Sequence, residues 1–146
     1  MWENQPVRIT RLEVLRGHAV CLVAFSPTAP RATSPALLGR VLPKFPALPR
    51  HACVNGAGKT FGDVMANTPL PHLLEHMVVD LQIRQEAEQP PGRGPQAGER
   101  AIVGTSEWVD ETAGLARIDV SFADDMVALR ALRDAVASLN AALDEE

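Results

Sequence analysis

The chain lacks what would place it in a membrane, on nucleic acid or in a disulfide-stapled fold. No stretch of its 146 residues approaches the roughly 20 apolar residues that span a bilayer. The first residues, Met1-Trp2-Glu3-Asn4-Gln5-Pro6, show neither the basic start nor the apolar run of a signal peptide, so a cytoplasmic location is expected. A basic excess is also missing. The 14 lysines and arginines face 18 aspartates and glutamates, and a net charge of −4 argues against a nucleic-acid or anionic-membrane partner. Two cysteines could form one bridge on counting alone, which a reducing compartment disfavours. Cys21 lies inside the apolar run of residues 19–25 and reads as a core residue, whereas Cys53 lies in a polar, glycine-bearing stretch two residues after His51.

The composition present, 46% hydrophobic and 22% charged, suits one globular domain over residues 1–146 with a real core. Residues 7–16 alternate only partly (Val7, Ile9, then Leu12, Val14), which predicts a strand with a slip near Arg11. Residues 19–25 are continuously apolar, as in a strand buried on both faces, and Arg16-Gly17-His18 would turn the first strand into the second. Ser34-Pro35 reads as N-cap and first helical position of a short helix ending near Leu42. Thr68-Pro69 repeats that signal for a helix to about Ala87, with a broad apolar face of Leu70, Leu73, Leu74, Met77, Val78 and Leu81. Residues 50–67 read as irregular, and residues 89–100, rich in proline and glycine, as a mobile loop. Two more strands follow at 101–109 and 115–122. Asp124 then caps a last helix with the stripe Val127, Leu129, Leu132, Val136, Leu139 and Leu143. The order ββααββα predicts an α+β fold: one antiparallel or mixed sheet of about four strands, with helices mainly on one face.

Chemistry concentrates in His72-Leu73-Leu74-Glu75-His76, the His-x-x-Glu-His order of inverted zinc peptidases. On a helix, residues 72 and 76 lie one turn apart on the same side, so both imidazoles can reach one ion. Glu75 stands beside them, close enough to act on a water at that ion. Such an open site needs a third protein ligand. Cys53, His51, Glu107 and Glu111 are the candidates. Cys53 stands slightly ahead of Glu111, because a thiolate binds zinc well and a free cysteine on a polar loop has little other purpose. Gly56-Ala57-Gly58-Lys59-Thr60 resembles the end of a phosphate-binding loop. Cys53 occupies the position of that motif's first glycine, and no strand signal precedes it, so nucleotide binding is rejected.

Over nearly its whole length the chain resembles the N-terminal domain of cyanophycin synthetases. The resemblance is carried by Leu15-Arg16-Gly17, by His51-x-Cys53-x-x-Gly56 with Phe61, and by Thr68-x-Leu70-x-His72-Leu73-x-Glu75-His76 with Leu81-Gln82. Gly114 and the strand running into the 124–143 helix complete it. The two ATP-using domains of those synthetases cannot fit in 146 residues, so their polymerising activity is not implied. What the resemblance implies is contact with an aspartate- and arginine-rich polymer and, as in some members, its internal cleavage by a metallopeptidase-like site. By position, Cys53, His72 and His76 would bind zinc and Glu75 would be the general base. Thr105-Ser106-Glu107-Trp108 stands where the family tends to have a basic, threonine-containing motif. The sequence therefore leads to a zinc-dependent peptidase or amidohydrolase acting on a charged peptide or cyanophycin-like polymer. The alternative is a non-catalytic polymer- or protein-binding module with a structural or empty metal site. A homo-oligomer stays open as a further partner.

Overall fold

The computed structural model describes residues 5–52, 60–88 and 102–144. Four strands, β1 (Val7–Leu15), β2 (His18–Phe25), β3 (Gly104–Asp110) and β4 (Leu115–Ser121), form one antiparallel sheet in the order β1-β2-β4-β3. The register of β1 shifts between Ile9 and Arg11, where the broken alternation predicted it. Leu15 pairs with His18, leaving Arg16-Gly17 as a two-residue turn, with Gly17 at the positive φ of 82° that such turns require. In β2 the residues Ala19, Cys21, Val23 and Phe25 are buried and their alternates only half-buried. The strand is thus covered on one face, not two as its continuous apolar run suggested. The same face continues through Ala116, Ile118 and Val120 of β4. Cys21 is a free thiol within it, and burial pushes its pKa up to about 12.

Among the described residues, four helices, α1 (Pro35–Val41), α2 (Phe61–Val64), α3 (Leu70–Ala87) and α4 (Asp125–Asp144), accompany the sheet. Helix α3 packs on β3 and β4, and α4 on α3, β1 and β2, so this α+β protein carries its long helices over one side of the sheet. Ser34 caps α1 by accepting from the Leu37 N–H, and the Asp124 carboxylate accepts from the Met126 N–H at 2.9 Å, as their positions predict. Helix α2 falls inside a stretch read as irregular; Thr60 opens it, its N–H bonded to the Asp63 carboxylate at 3.0 Å. A 3-10 turn follows at Met65–Asn67, and another at Leu48–Arg50 precedes His51. The predicted loop at 89–100 lies outside the described residues, as does Cys53 with the glycine-lysine stretch after it. Among the described residues no helix is long and apolar enough to cross a membrane.

Candidate metal centre

Helix α3 is buried on nearly every side: Leu70, Leu73, Leu74, Met77 and Val78 are sealed in the core, and Glu75, His76 and Asp80 are buried with them. Its start is pinned to the segment before α1. The Thr33 N–H donates to the Thr68 carbonyl at 2.9 Å, the Thr68 N–H to the Thr33 hydroxyl at 3.0 Å, and the Leu70 N–H to the Arg31 carbonyl at 2.9 Å. Pro69, not Thr68, is the N-cap residue, so the Thr68 hydroxyl is not spent on the helix backbone. It meets His72 Nδ1 at 2.8 Å instead and turns that ring's other nitrogen toward His76.

His72 Nε2 and His76 Nε2 are 3.2 Å apart. Two nitrogens bound to one tetrahedral zinc at 2.0–2.1 Å would be separated by about 3.3 Å, so this pair fits that ion. The Glu75 carboxylate joins them: one donor atom from each of His72, Glu75 and His76 lies within 4.8 Å of the others. Glu75 is nonetheless set slightly aside. Its Oε2 is 3.9 Å from His76 Nε2, and the Ser106 hydroxyl donates to its Oε1 at 2.8 Å. Gly104 makes room for it, since a Cβ there would stand 2.9 Å from Glu75 Cγ and 3.1 Å from Oε2. Strand β3 thus cradles the carboxylate with a hydroxyl on one side and a missing side chain on the other.

Behind the pair runs a second line of polar groups. His51 Nδ1 meets His76 Nδ1 at 3.1 Å, and His51 Nε2 meets the Asp80 carboxylate at 3.2 Å. Arg84 grips the other oxygen of Asp80 from Nε at 2.8 Å and Nη2 at 2.7 Å. Phe61, fully buried, stacks on the His76 ring at 4.3 Å between centroids and meets His72 edge-on at 5.1 Å. Burial lowers the pKa of His72, and burial with the neighbouring His72 and His51 lowers that of His76 to about 3. Both imidazoles are therefore neutral near pH 7, the form that binds metal. Burial raises Glu75 above the ordinary carboxylate value, with the Ser106 hydrogen bond opposing it. Burial would raise Asp80 too, but hydrogen bonds from His51 and Arg84, with the Arg84 charge, hold it below its usual value.

The centre opens into a cleft of about 650 Å³ between α3 and β3, with Pro71, Val79, Ile83, Ile102, Val103 and Trp108 among its walls. Trp108 is half-buried, edge-on to Phe25 at 5.2 Å and with the Arg31 guanidinium 5.7 Å from its ring centroid. Of the residues singled out in sequence, His72, Glu75 and His76 converge. His51 is close, but both its nitrogens are engaged by His76 and Asp80, and it stands behind His76 on the side away from His72. Glu107 is exposed on β3 opposite Arg117 and reaches only the cleft, and Glu111 lies in the exposed turn after β3. Ala52 lines the cleft immediately before Cys53 in the chain. Thr68, Asp80, Gly104 and Ser106 are site residues that the motif did not announce. Asp80 and Arg84 did leave a signal: with His72 and His76 they form an unbroken series at four-residue spacing. No protein-family profile, curated protein or solved structure matches the chain.

Proposed function

We propose that this protein is a zinc-dependent peptidase or amidohydrolase centred on His72, His76 and Glu75. The observation that carries the reading is the 3.2 Å separation of two neutral imidazole nitrogens with a buried carboxylate beside them. His72 and His76 would hold the ion, and Cys53, which follows the cleft residue Ala52, is the proposed third ligand, a thiolate. When bound, zinc supplies a water acidified toward pH 7 and a polarised carbonyl. Glu75, held by Ser106, takes the proton from the attacking water and returns it to the leaving amine. Its 3.9 Å from His76 Nε2 exceeds the about 3.3 Å between co-ligands of one tetrahedral zinc, which favours base over ligand. The apolar cleft walls suit the methylene stem of an arginine side chain. A charged, arginine-bearing peptide or polymer is therefore the substrate we propose.

The Glu75→Gln variant tests the assignment. Purified without a histidine tag, it should retain zinc by metal analysis and lose all cleavage of an aspartate- and arginine-rich polymer or peptide library. Normal cleavage by the variant would remove Glu75 as the base. A wild type that binds zinc but cleaves neither substrate would make the domain a binding module.

A further inference from the structure

From the chain of contacts behind the metal centre we infer that Asp80, which touches neither the ion's position nor the cleft, decides which nitrogen of His76 faces the metal. Each neutral imidazole has one N–H and one lone pair, so a contact between two rings fixes the second once the first is known. Asp80 lies between two partners: Arg84 donates twice to Oδ2, and His51 Nε2 faces Oδ1 at 3.2 Å. A carboxylate only accepts, so a neutral His51 must carry its proton on Nε2 and present a bare Nδ1 to His76. The contact at 3.1 Å then needs a proton on His76 Nδ1, which leaves His76 Nε2 bare and aimed at His72. The opposite arrangement would press the lone pair of His51 against a buried anion.

His72 is built differently. Its Nδ1 meets a threonine hydroxyl, which can donate or accept. In the metal-free protein, His72 carries its proton on Nε2, donates it to His76 and accepts from Thr68. With metal bound, its proton sits on Nδ1 and the Thr68 hydroxyl turns to accept it. His76 is thus the preset ligand and His72 the adaptable one. This gives His51 a role other than ligand: it relays the charge of Asp80 to His76, and the two Arg84 contacts on Oδ2 keep Asp80 oriented.

Asp80→Asn is the informative substitution because Arg84 polarises it. Two donors at the Oδ2 position would hold the asparagine carbonyl there, and its NH₂ would face His51. Every proton along the chain is then reversed, and His76 Nε2 is capped by hydrogen. Long-range proton–nitrogen NMR of the metal-free protein, which has only 4 histidines to assign, should show His76 protonated on Nδ1 in the wild type and on Nε2 in the variant. Zinc affinity, measured by competition with a chromogenic chelator, should fall about 10- to 100-fold. Adding Arg84→Met frees the asparagine to turn its carbonyl to His51, so the double variant should bind zinc more tightly than Asp80→Asn alone. A merely structural role predicts the reverse, since two losses would add. The zinc readout rests on the metal-site reading, but the tautomer does not. A wild type that binds no zinc sinks that reading, while His76 protonated on Nε2 in the wild type sinks the relay. A double variant weaker than the single one also overturns it.

Discussion

Helices α3 and α4 have nearly the same length, 18 and 20 residues, and pack against each other, yet they are made for different tasks. Helix α4 buries one stripe and nothing polar: Val127, Ala128, Ala131, Leu132, Ala135, Leu139 and Ala142. Four of those seven are alanines, which brings the helix close to its neighbours, while the opposite side meets water. Helix α3 is buried nearly all round, and Glu75, His76, Asp80 and Gln82 are enclosed with its leucines. An apolar helix needs no such residues to be stable. Each buried polar group must find a partner, or folding suffers by a kcal/mol or more. Here the partners come from separate elements: His51 behind α3, Ser106 on β3, and the Ser121 carbonyl, which accepts from Gln82 Nε2 at 3.2 Å. One helix is a stabilising wall. The other is a carrier of reactive groups that the fold accommodates around it.

If that division holds, substitutions in the two helices should separate metal binding from stability. The largest effect expected is on zinc, from His76→Gln. Removing one nitrogen of the 3.2 Å pair should weaken binding by more than about 100-fold, since each ligand shares the roughly 10–16 kcal/mol that zinc supplies to small sites. Chelator competition reads this directly, and unchanged affinity would move the ion elsewhere. Leu139→Ala, in the α4 stripe, should do the opposite. It empties a fully buried site and should cost about 2–5 kcal/mol in urea unfolding, with the zinc affinity of the folded protein unchanged. A loss of zinc in that variant would mean the two helices are coupled.

Acid should sharpen the contrast next. His76 titrates near its ordinary value of 6.5 when unfolded but only at about 3 when folded. The unfolded chain therefore binds the extra proton first, and metal-free stability should fall as the pH drops from about 6.5 toward 3, by at most about 1.4 kcal/mol per pH unit for this group. His72 acts in the same direction, and Asp80 adds to the loss only below about 4. Glu75, raised by burial, works against them, because its burial penalty is relieved as it protonates. His76→Gln should flatten the slope, and Leu139→Ala should shift the whole curve down without changing its shape. Urea midpoints from pH 7 to 4 would show which occurs.

Much of this frame was readable before any coordinates, and the reasons are local. The slip near Arg11, the Arg16-Gly17 turn, and the Ser34 and Asp124 caps are all set by neighbours within a few residues. The centre of the α4 stripe was harder to place. Leu129, Val136 and Leu143 are only half-buried, while four alanines that hydropathy ranks as unremarkable take the core positions. In the site, the paired histidines and Glu75 were legible because helical spacing alone brings them together. The roles of His51, Gly104 and Ser106 depend on contacts spanning 25 to 31 residues in sequence, which no periodicity encodes.

Gly104→Ala gives the smallest effect and the most exacting test, because stability and activity should move apart. Alanine is ordinarily the better residue inside a strand, by roughly 0.5–1 kcal/mol over glycine. The atoms that its Cβ would crowd belong to the Glu75 side chain, at 2.9 Å from Cγ and 3.1 Å from Oε2, and that side chain can swing. The strand gain and the loss of the Ser106 contact, about a kcal/mol, should roughly cancel, so the variant should be about as stable as the parent and bind zinc equally well through the untouched histidines. The carboxylate, however, must leave its place against the Ser106 hydroxyl. If Glu75 transfers the proton as proposed, a displacement of several tenths of an ångström should slow cleavage about tenfold, below the 100-fold that a full 1 Å misplacement brings. Equal cleavage by Gly104→Ala would show that Glu75 tolerates slack, and that the gap opposite it in β3 serves packing alone. A variant of equal stability and zinc affinity but slower cleavage would show that the missing side chain belongs to the site.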